Sequence, residues 1–447
     1  MDDSPRKTSL DRFLSLFTRV KPGEASGALL LASNVFLLLA SYYILKTVRE
    51  PLILAEGSAE LKAYAAAAQA ALLFIVIPVY GWIASRMERM KFISVSTLFF
   101  VANLAGFYLL VNSGAKVGFA FFIWLGIFNN FVVAQFWAFS NDLYTEEQGK
   151  RLFPIIGVGT ALGAWLGSVF AGELFAEFQV GGMMLLAGLG LLLSLVVTWV
   201  VNWRFRRRTN AANEGDQSDE PLAKDGGFEL ILRSRYLMLI AILIFLLNVV
   251  NTTGEYILSS FVTGQAQALY GAADSARGEV GIFIGEFYGS FFGWVNLITL
   301  LLQLLVVPYL FRWIGVRGAL FILPCIALGG YSLLIAFPML AVIRVAKILE
   351  NATDYLVQNT TRHALFLLTS REAKYKAKAA IDTFVVRTGD MLQAGIVKLG
   401  TTVGLSVKGF AAINLGLVGV WLFVVFLLYK EHKKLERQKE LEERAAA

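Results

Sequence analysis

One cysteine (Cys325) and two histidines are all that 447 residues supply. A single thiol cannot close a disulfide within one chain, and so few soft or imidazole ligands leave no donor set for zinc or haem. No cofactor and no metal are expected. The sequence has no G-x-x-x-x-G-K-[ST] loop to drive work by ATP hydrolysis, no H-E-x-x-H, and no evident Ser/His/Asp set. It does not read as an enzyme. Charge is also scarce: Asp, Glu, Lys and Arg make up 16% against 57% hydrophobic residues, and mean hydropathy is +0.63. So few charges cannot clothe a soluble protein of this length.

What the chain has instead is long apolar runs. A helix crossing about 30 Å of hydrocarbon needs roughly 20 apolar residues. Twelve such spans are expected at 27–48, 63–84, 92–111, 117–140, 152–175, 181–203, 237–262, 285–311, 317–337, 338–362, 379–404 and 409–429. Continuous runs favour helices over barrel strands, which alternate every second residue. The expected fold class is therefore an all-α, multi-pass membrane protein lodged in the cell (inner) membrane. The first 26 residues have no apolar core of a signal peptide. Leu10, Phe13, Leu14, Phe17 and Val20 instead suggest an amphipathic segment lying on the bilayer. With the N-terminus cytoplasmic, 29 of the 40 Lys and Arg fall on that side, 5 on the other and 6 within spans. This asymmetry places both termini in the cytoplasm. The formal net charge of +7 is then a topology and lipid signal that requires no nucleic acid.

The polar stretch RFRRRTNAANEGDQSDEPLAKDGG reads as a flexible linker. It gives a layout of 1–26 (N-terminal segment), 27–203 (six spans), 204–236 (linker and interfacial helix), 237–429 (six spans) and 430–447 (charged tail). The halves echo one another: NVFLLLASYYIL at 34–45 against NVVNTTGEYIL at 248–258, and TEEQGKR at 145–151 against TSREAKYK at 369–376. A duplicated six-helix unit is the build of major-facilitator-like transporters. GWIASRMERMK (81–91) resembles that superfamily's cytoplasmic signature, with Ser85 where the signature carries Asp. GVGTALGAWLG (157–167) sits inside a span with no preceding strand. Its Gly159, Gly163 and Gly167 recur every four residues, which suits close helix packing rather than a nucleotide loop.

Charge inside spans is costly and marks a lined interior or pathway. At about 100° per residue, Arg344, Lys347, Glu350, Asp354, Gln358, Thr361 and Arg362 fall within an arc of roughly 120° on span ten. Span eleven carries Asp382, Arg387, Asp390, Gln393 and Lys398. Span one ends in Lys46, Arg49 and Glu50, and span seven holds Asn248, Asn251 and Glu255. Such residues could be ion pairs that merely hold a bundle together. Buried pairs, however, contribute little net stability, and the cations suit an anionic solute. Lys46, Arg49, Arg344, Lys347, Arg362 and Arg387 are thus candidate phosphate ligands. Glu50, Asp142, Glu255, Glu350, Asp354, Asp382 and Asp390 are candidate gating or coupling acids. Tyr42, Tyr43, Asn129, Trp137 and Asn251 are candidate contacts to a base.

Three stretches carry a resemblance to a known family. YYILKTVREPLIL (42–54), FWAFSNDLYTEEQGKRLFPIIGVG (136–159) and REAKYKAKAAIDTFVVRTGD (371–390) resemble segments of the non-mitochondrial ATP:ADP antiporter family, the nucleotide transporters of plastids and intracellular bacteria. The resemblance maps Lys46, Arg49, Glu50 and Asp142 onto that family's charged positions, together with Glu255 and Arg362. Asn129 and Asn130 stand where the family tends to carry an acid. The resemblance implies a twelve-helix, facilitator-like exchanger of nucleotides. The expected partners are a small anionic substrate and the bilayer, with no nucleic acid, and the protein is expected to work as a monomer. Two other readings stay open: a facilitator-type transporter of another organic anion, proton-coupled through Asp354 or Glu255, and a non-transporting scaffold that docks through its charged C-tail.

Overall fold

The computed structural model describes residues 20–209, 227–306, 309–310, 313–369 and 377–446. Most of the expected N-terminal amphipathic segment, the centre of the linker and the loop at 370–376 lie outside these residues. Every regular element described is helical.

In chain order the first six helices are α1 (Ala25–Glu56), α2 (Ala59–Ala84), α3 (Arg89–Asn112), α4 (Gly118–Leu143), α5 (Glu146–Glu173) and α6 (Phe175–Thr209). A short α7 (Gly227–Arg233) precedes α8 (Arg235–Tyr270). Then come α9 (Arg277–Leu301) with a π turn at Leu302–Val306, α10 (Gly315–Ala319) and α11 (Ile322–Ala336). The next two segments are each interrupted by a π turn. One is α12 (Leu340–Thr353), the turn Asp354–Gln358 and α13 (Asn359–Leu365); the other is α14 (Lys378–Ala380), the turn Ile381–Val385 and α15 (Val386–Thr402). Helix α16 (Val407–Ala446) carries the expected last span straight into the charged tail.

Ten of the described helices are long and apolar enough to cross a membrane. The segments at 338–362 and 379–404 are helical but fall outside that set, because they hold the charged stripes. Large apolar side chains face outward on the long helices: Leu109 is 67% exposed and Trp199 55%. In water such surfaces would drive association; in lipid they are the solvated face. The chain is a multi-pass membrane protein.

Local sequence explains the helix ends. Thr145 and Gln148 form the reciprocal capping box that T-x-x-Q encodes, with Thr145 N–H donating to Gln148 Oε1 at 3.1 Å. Ser234 caps α8 by accepting from Leu237 N–H. Gly271, at φ +94°, ends α8 in a conformation that favours glycine.

The chain divides into two compact units. Unit one holds residues 1–56, 73–218 and 281–296; unit two holds 57–72, 219–280 and 297–447. In unit one, α1 packs along α4, α5 and α6, and α3 packs on α6. In unit two, α8 packs along α12, α15 and α16, and α11 packs on α16. The two units therefore repeat one packing pattern. The glycine triplet explains part of the first. A methyl group at Gly159, Gly163 or Gly167 would lie 2.9, 2.9 or 2.6 Å from the Cα of Ala32, Phe36 or Ala40 on α1. Only glycine permits this approach, so the four-residue spacing is a packing device.

Beside that contact, buried Asn34 on α1 donates to Thr198 Oγ1 at 2.7 Å and accepts from Ser194 Oγ at 2.5 Å, fastening α1 to α6. At the start of α1, Glu24 takes two bonds from the Arg151 guanidinium, at 2.8 and 3.0 Å. Burial works against the Glu24 carboxylate. The Arg151 bonds and charge, the Lys21 N–H and Gln148 outweigh it, and together they hold its pKa below the ordinary carboxylate range.

Candidate substrate-binding site

The densest polar cluster lies inside unit two, where α12 meets α8. Lys347 is fully buried. Its ammonium donates to Asn251 Oδ1 at 2.5 Å and to the Asn251 carbonyl at 3.2 Å. It also stands 3.2 Å from Glu350 Oε1 and 3.6 Å from Glu255 Oε1. Three N–H donors thus face four oxygens, which meets the cost of burying the charge. Glu350 in turn accepts from the buried Tyr331 hydroxyl of α11 at 3.1 Å, and Asn351 donates to Glu255 at 3.0 Å.

Gly254 makes the arrangement possible. A methyl there would run into the Tyr331 hydroxyl and lie 3.2 Å from Lys347 Nζ. The i,i+3 spacing of Lys347 and Glu350 permits this pair on one helix face. Tyr331, Asn351 and Gly254 escaped the sequence reading, since nothing local marks a single Tyr, Asn or Gly as the partner of a residue on another helix.

The other predicted residues of spans ten and eleven form separate groups. Arg344 is half-buried one turn before Lys347. Asp354 is half-buried on its π turn and makes no ion pair or hydrogen bond among the described residues. Arg362 pairs with Asp382 at 3.2 Å, and Asp382 also takes Lys378 at 2.7 Å. Arg362 is fifteen residues beyond Lys347, about 22 Å along a helix, so the predicted single stripe is two clusters. The third group is Arg387, Asp390 and Asn248: Asp390 accepts from Asn248 at 2.9 Å and from Arg387 at 3.4 Å. The buried Nε of Arg387 finds no acceptor among the described residues.

In unit one, Lys46 is buried with its ammonium 4.3 Å from the centroid of the Phe292 ring and 5.1 Å from that of Tyr43. Arg49 lies over Phe122 at 4.4 Å and bonds to the neighbouring Glu50, which is fully buried. The pairing with Glu50 gives Arg49 an acid that the sequence reading had not assigned to it. Tyr42 stacks on Phe128 and meets Tyr43 edge-on. Asn129 is half-buried one residue beyond Phe128. Trp137 packs edge-on against Phe136 and Phe153.

Asp142 does not join these groups. It pairs with Arg89 at 3.0 Å in a half-exposed position at the end of α4. A small cleft between α1, α3, α4 and α6 has Asn34, Thr97 and Gln135 on its wall and no charged residue. Lys62, one residue before the expected span 63–84, is buried within unit two and donates to Ser259 at 3.0 Å.

Apart from the aromatic seat of Lys46, these clusters are of one chemical kind: lysine or arginine held by carboxylates and amides inside a membrane protein. An incoming oxyanion could take the same donors from the acids. Comparison with known proteins gives the arrangement a setting. The ADP,ATP carrier protein 1 of Chlamydia pneumoniae is 24% identical over 333 residues, 64% of this chain and 62% of that protein. That of Chlamydia muridarum is 26% identical over 325 residues, 64% of this chain and 60% of that protein. ADP,ATP carrier protein 4 of Rickettsia bellii is 23% identical over 346 residues, 67% and 64% of the two chains. The resemblance seen in the sequence motifs therefore extends over much of the chain, which spans about three fifths of the length of these curated relatives.

Among solved structures, a bacterial homologue of the human lysosomal transporter Spinster superposes with a TM-score of 0.60 at 14% identity, covering 93% of this chain and 98% of that one. The POT family transporter PepTSo gives 0.64 at 11%, covering 92% and 98%. The nucleoside transporter NupG gives 0.62 at 11%, covering 90% and 99%. At such identities the likeness is one of fold. The family model of the Major Facilitator Superfamily matches residues 29–356, and the chain is a membrane protein that belongs to that superfamily.

Proposed function

We propose that this transporter exchanges nucleotides of the ATP/ADP type by alternating access. The observation that carries the reading is Lys347: a fully buried ammonium whose partners are all oxygens on movable side chains or a helix carbonyl. A phosphate oxygen can replace Glu350 and Asn251 as acceptor, and the displaced acid then signals that the site is filled. The names of the relatives support the choice of nucleotide. Arg344 and Arg387 of the same unit, and Lys46 and Arg49 of unit one, are the further phosphate ligands of this proposal; Arg362, about 22 Å along the helix from Lys347 and held by Asp382, stands apart from them, and Arg387 brings an unused buried N–H.

The twelve-span topology with cytoplasmic termini, which includes the two charged helical segments as spans, belongs to the same proposal. Counterflow tests it. Proteoliposomes loaded with ADP should accumulate labelled ATP, and empty vesicles should not. Equal uptake without internal nucleotide, or exchange of other organic anions alone, overturns the reading. Asp354 supports a second reading, proton-coupled transport of another organic anion, because its half-buried carboxylate forms no ion pair or hydrogen bond among the described residues, and an acid inside a span marks a pathway.

A further inference from the structure

Gln358 is the last residue of the π turn Asp354–Gln358, and it is 1% exposed. Neither its amide oxygen nor its amide nitrogen has a hydrogen-bond partner among the described residues. Its neighbours show that this is not a general poverty of acceptors. Thr361, equally buried one turn later, donates to the Val357 carbonyl at 2.7 Å. A buried carboxamide with both functions unmet is rare, because each group has lost its water and gained nothing in return. π turns inside α-helices are themselves frequent at functional sites. The same turn begins with Asp354, half-buried and without an ion pair or hydrogen bond among the described residues. One irregular turn thus carries a half-buried carboxylate and a fully buried carboxamide, the latter without a partner among the described residues.

We propose that Gln358 reads the base of the bound nucleotide. The inference rests on the exchange reading and adds to it the part of the substrate that the cations cannot recognise. A carboxamide presents one donor and one acceptor side by side. Its complement is an edge with an adjacent amine and ring nitrogen, as N6 and N7 of adenine provide. An acceptor-only carboxylate one turn away favours an edge that carries an amine. Phosphate is a poor occupant, since the amide oxygen repels it. A cation alone leaves the N–H₂ group unmet, and an amide does not titrate. Gln358 lies eleven residues beyond Lys347, about 16 Å along a helix. A nucleoside phosphate carries its two chemistries at opposite ends of a molecule of that length.

The experiment is counterflow into ADP-loaded proteoliposomes with three labelled substrates: ATP, purine-riboside triphosphate, which lacks the N6 amine, and 7-deaza-ATP, which lacks N7. The parent protein should prefer ATP to either analogue by about tenfold to a hundredfold, the discrimination a bidentate amide contact gives. Gln358→Leu should take up all three alike, at the level of the parent with purine-riboside triphosphate. Its thermal stability should match or exceed the parent's, because two unmet groups are gone. Gln358→Glu, which accepts from N6 but repels the N7 lone pair, should prefer 7-deaza-ATP to ATP. A Gln358→Leu protein that keeps the parent's preference overturns the inference and marks the residue as holding an ordered water. A parent that exchanges ATP without discriminating among the three overturns it equally while leaving nucleotide exchange intact. A parent that exchanges none of them overturns the exchange reading, and this inference with it.

Discussion

Removing the charge of Lys347 and then that of Glu350 separates a substrate-ready cation from a structural pair. Lys347 is fully buried and Glu350 is 3% exposed, with the two 3.2 Å apart. Breaking a buried pair from one side costs about 3–5 kcal/mol, because the remaining charge stays desolvated. Lys347→Met should fall at the upper end, since it strips the cation from Glu350 and leaves Asn251 Oδ1 without its donor. Glu350→Gln should fall at the lower end, because Lys347 keeps Asn251 and Glu255 while Tyr331 can still donate to the new amide oxygen.

Simple addition of about 5 and about 3 kcal/mol would then put the double variant near 8 kcal/mol. Removing both charges relieves the very penalty that each single change creates. The double variant should therefore be more stable than the sum by about 1–3 kcal/mol, the coupling expected of side chains in contact. The measurement is thermal unfolding of the four purified proteins in detergent at one scan rate, with nucleotide binding followed in parallel. Binding should be lost with Lys347→Met and be retained, or tightened, with Glu350→Gln, where the cation has one competitor fewer. Strict additivity of the melting shifts would refute the pairing, and unaltered binding by Lys347→Met would refute its role in holding phosphate.

Two further outcomes are expected. Because Glu24 has its pKa lowered by Arg151 and its neighbours, its contribution to stability is fully present above the unfolded-state value of about 4.3 and disappears as pH falls through the still lower folded value. The melting difference between parent and Glu24→Gln should accordingly be constant near neutrality and vanish in acid; a gap that persists below that range refutes the ion pair's part in it. For topology, cysteines introduced singly at Asn213 and Ala272 in a Cys325→Ala background should react with an impermeant maleimide from opposite sides of the membrane, and labelling of both from one side would sink the twelve-span arrangement.

The sequence disclosed most where a physical rule acts within one helix. Hydropathy marked the long helices because each must satisfy its own backbone in lipid. The i,i+3 spacing of Lys347 with Glu350, and of Arg387 with Asp390, anticipated pairs that the structure contains. The glycine triplet was legible as packing because three small residues on one face have few other uses. Partners across helices were not legible. Tyr331, Asn351 and Gly254 acquire meaning only through the approach of α8, α11 and α12, and Lys62 lies one residue before the expected span 63–84, whereas α2 begins at Ala59 and carries it inside.

The division of the span-ten stripe has a separate cause. Its arc was drawn at a constant angle per residue, and that holds only while hydrogen bonds run from each residue to the fourth before it. The π turn Asp354–Gln358 widens this spacing to five. One additional residue in a turn rotates everything beyond it by about 100°. Lys347 and Glu350 lie before the turn and keep the predicted register, whereas Arg362 lies after it and meets Asp382, itself on the second π turn, at Ile381–Val385. Both charged helices thus break register at an aspartate. A strictly α-helical sequence would have aimed every cation along one line. The two π turns divide the cations between a site that buries Lys347 and one that stays partly open at Arg362, and they leave Gln358, on the turn itself, buried without a hydrogen-bond partner among the described residues.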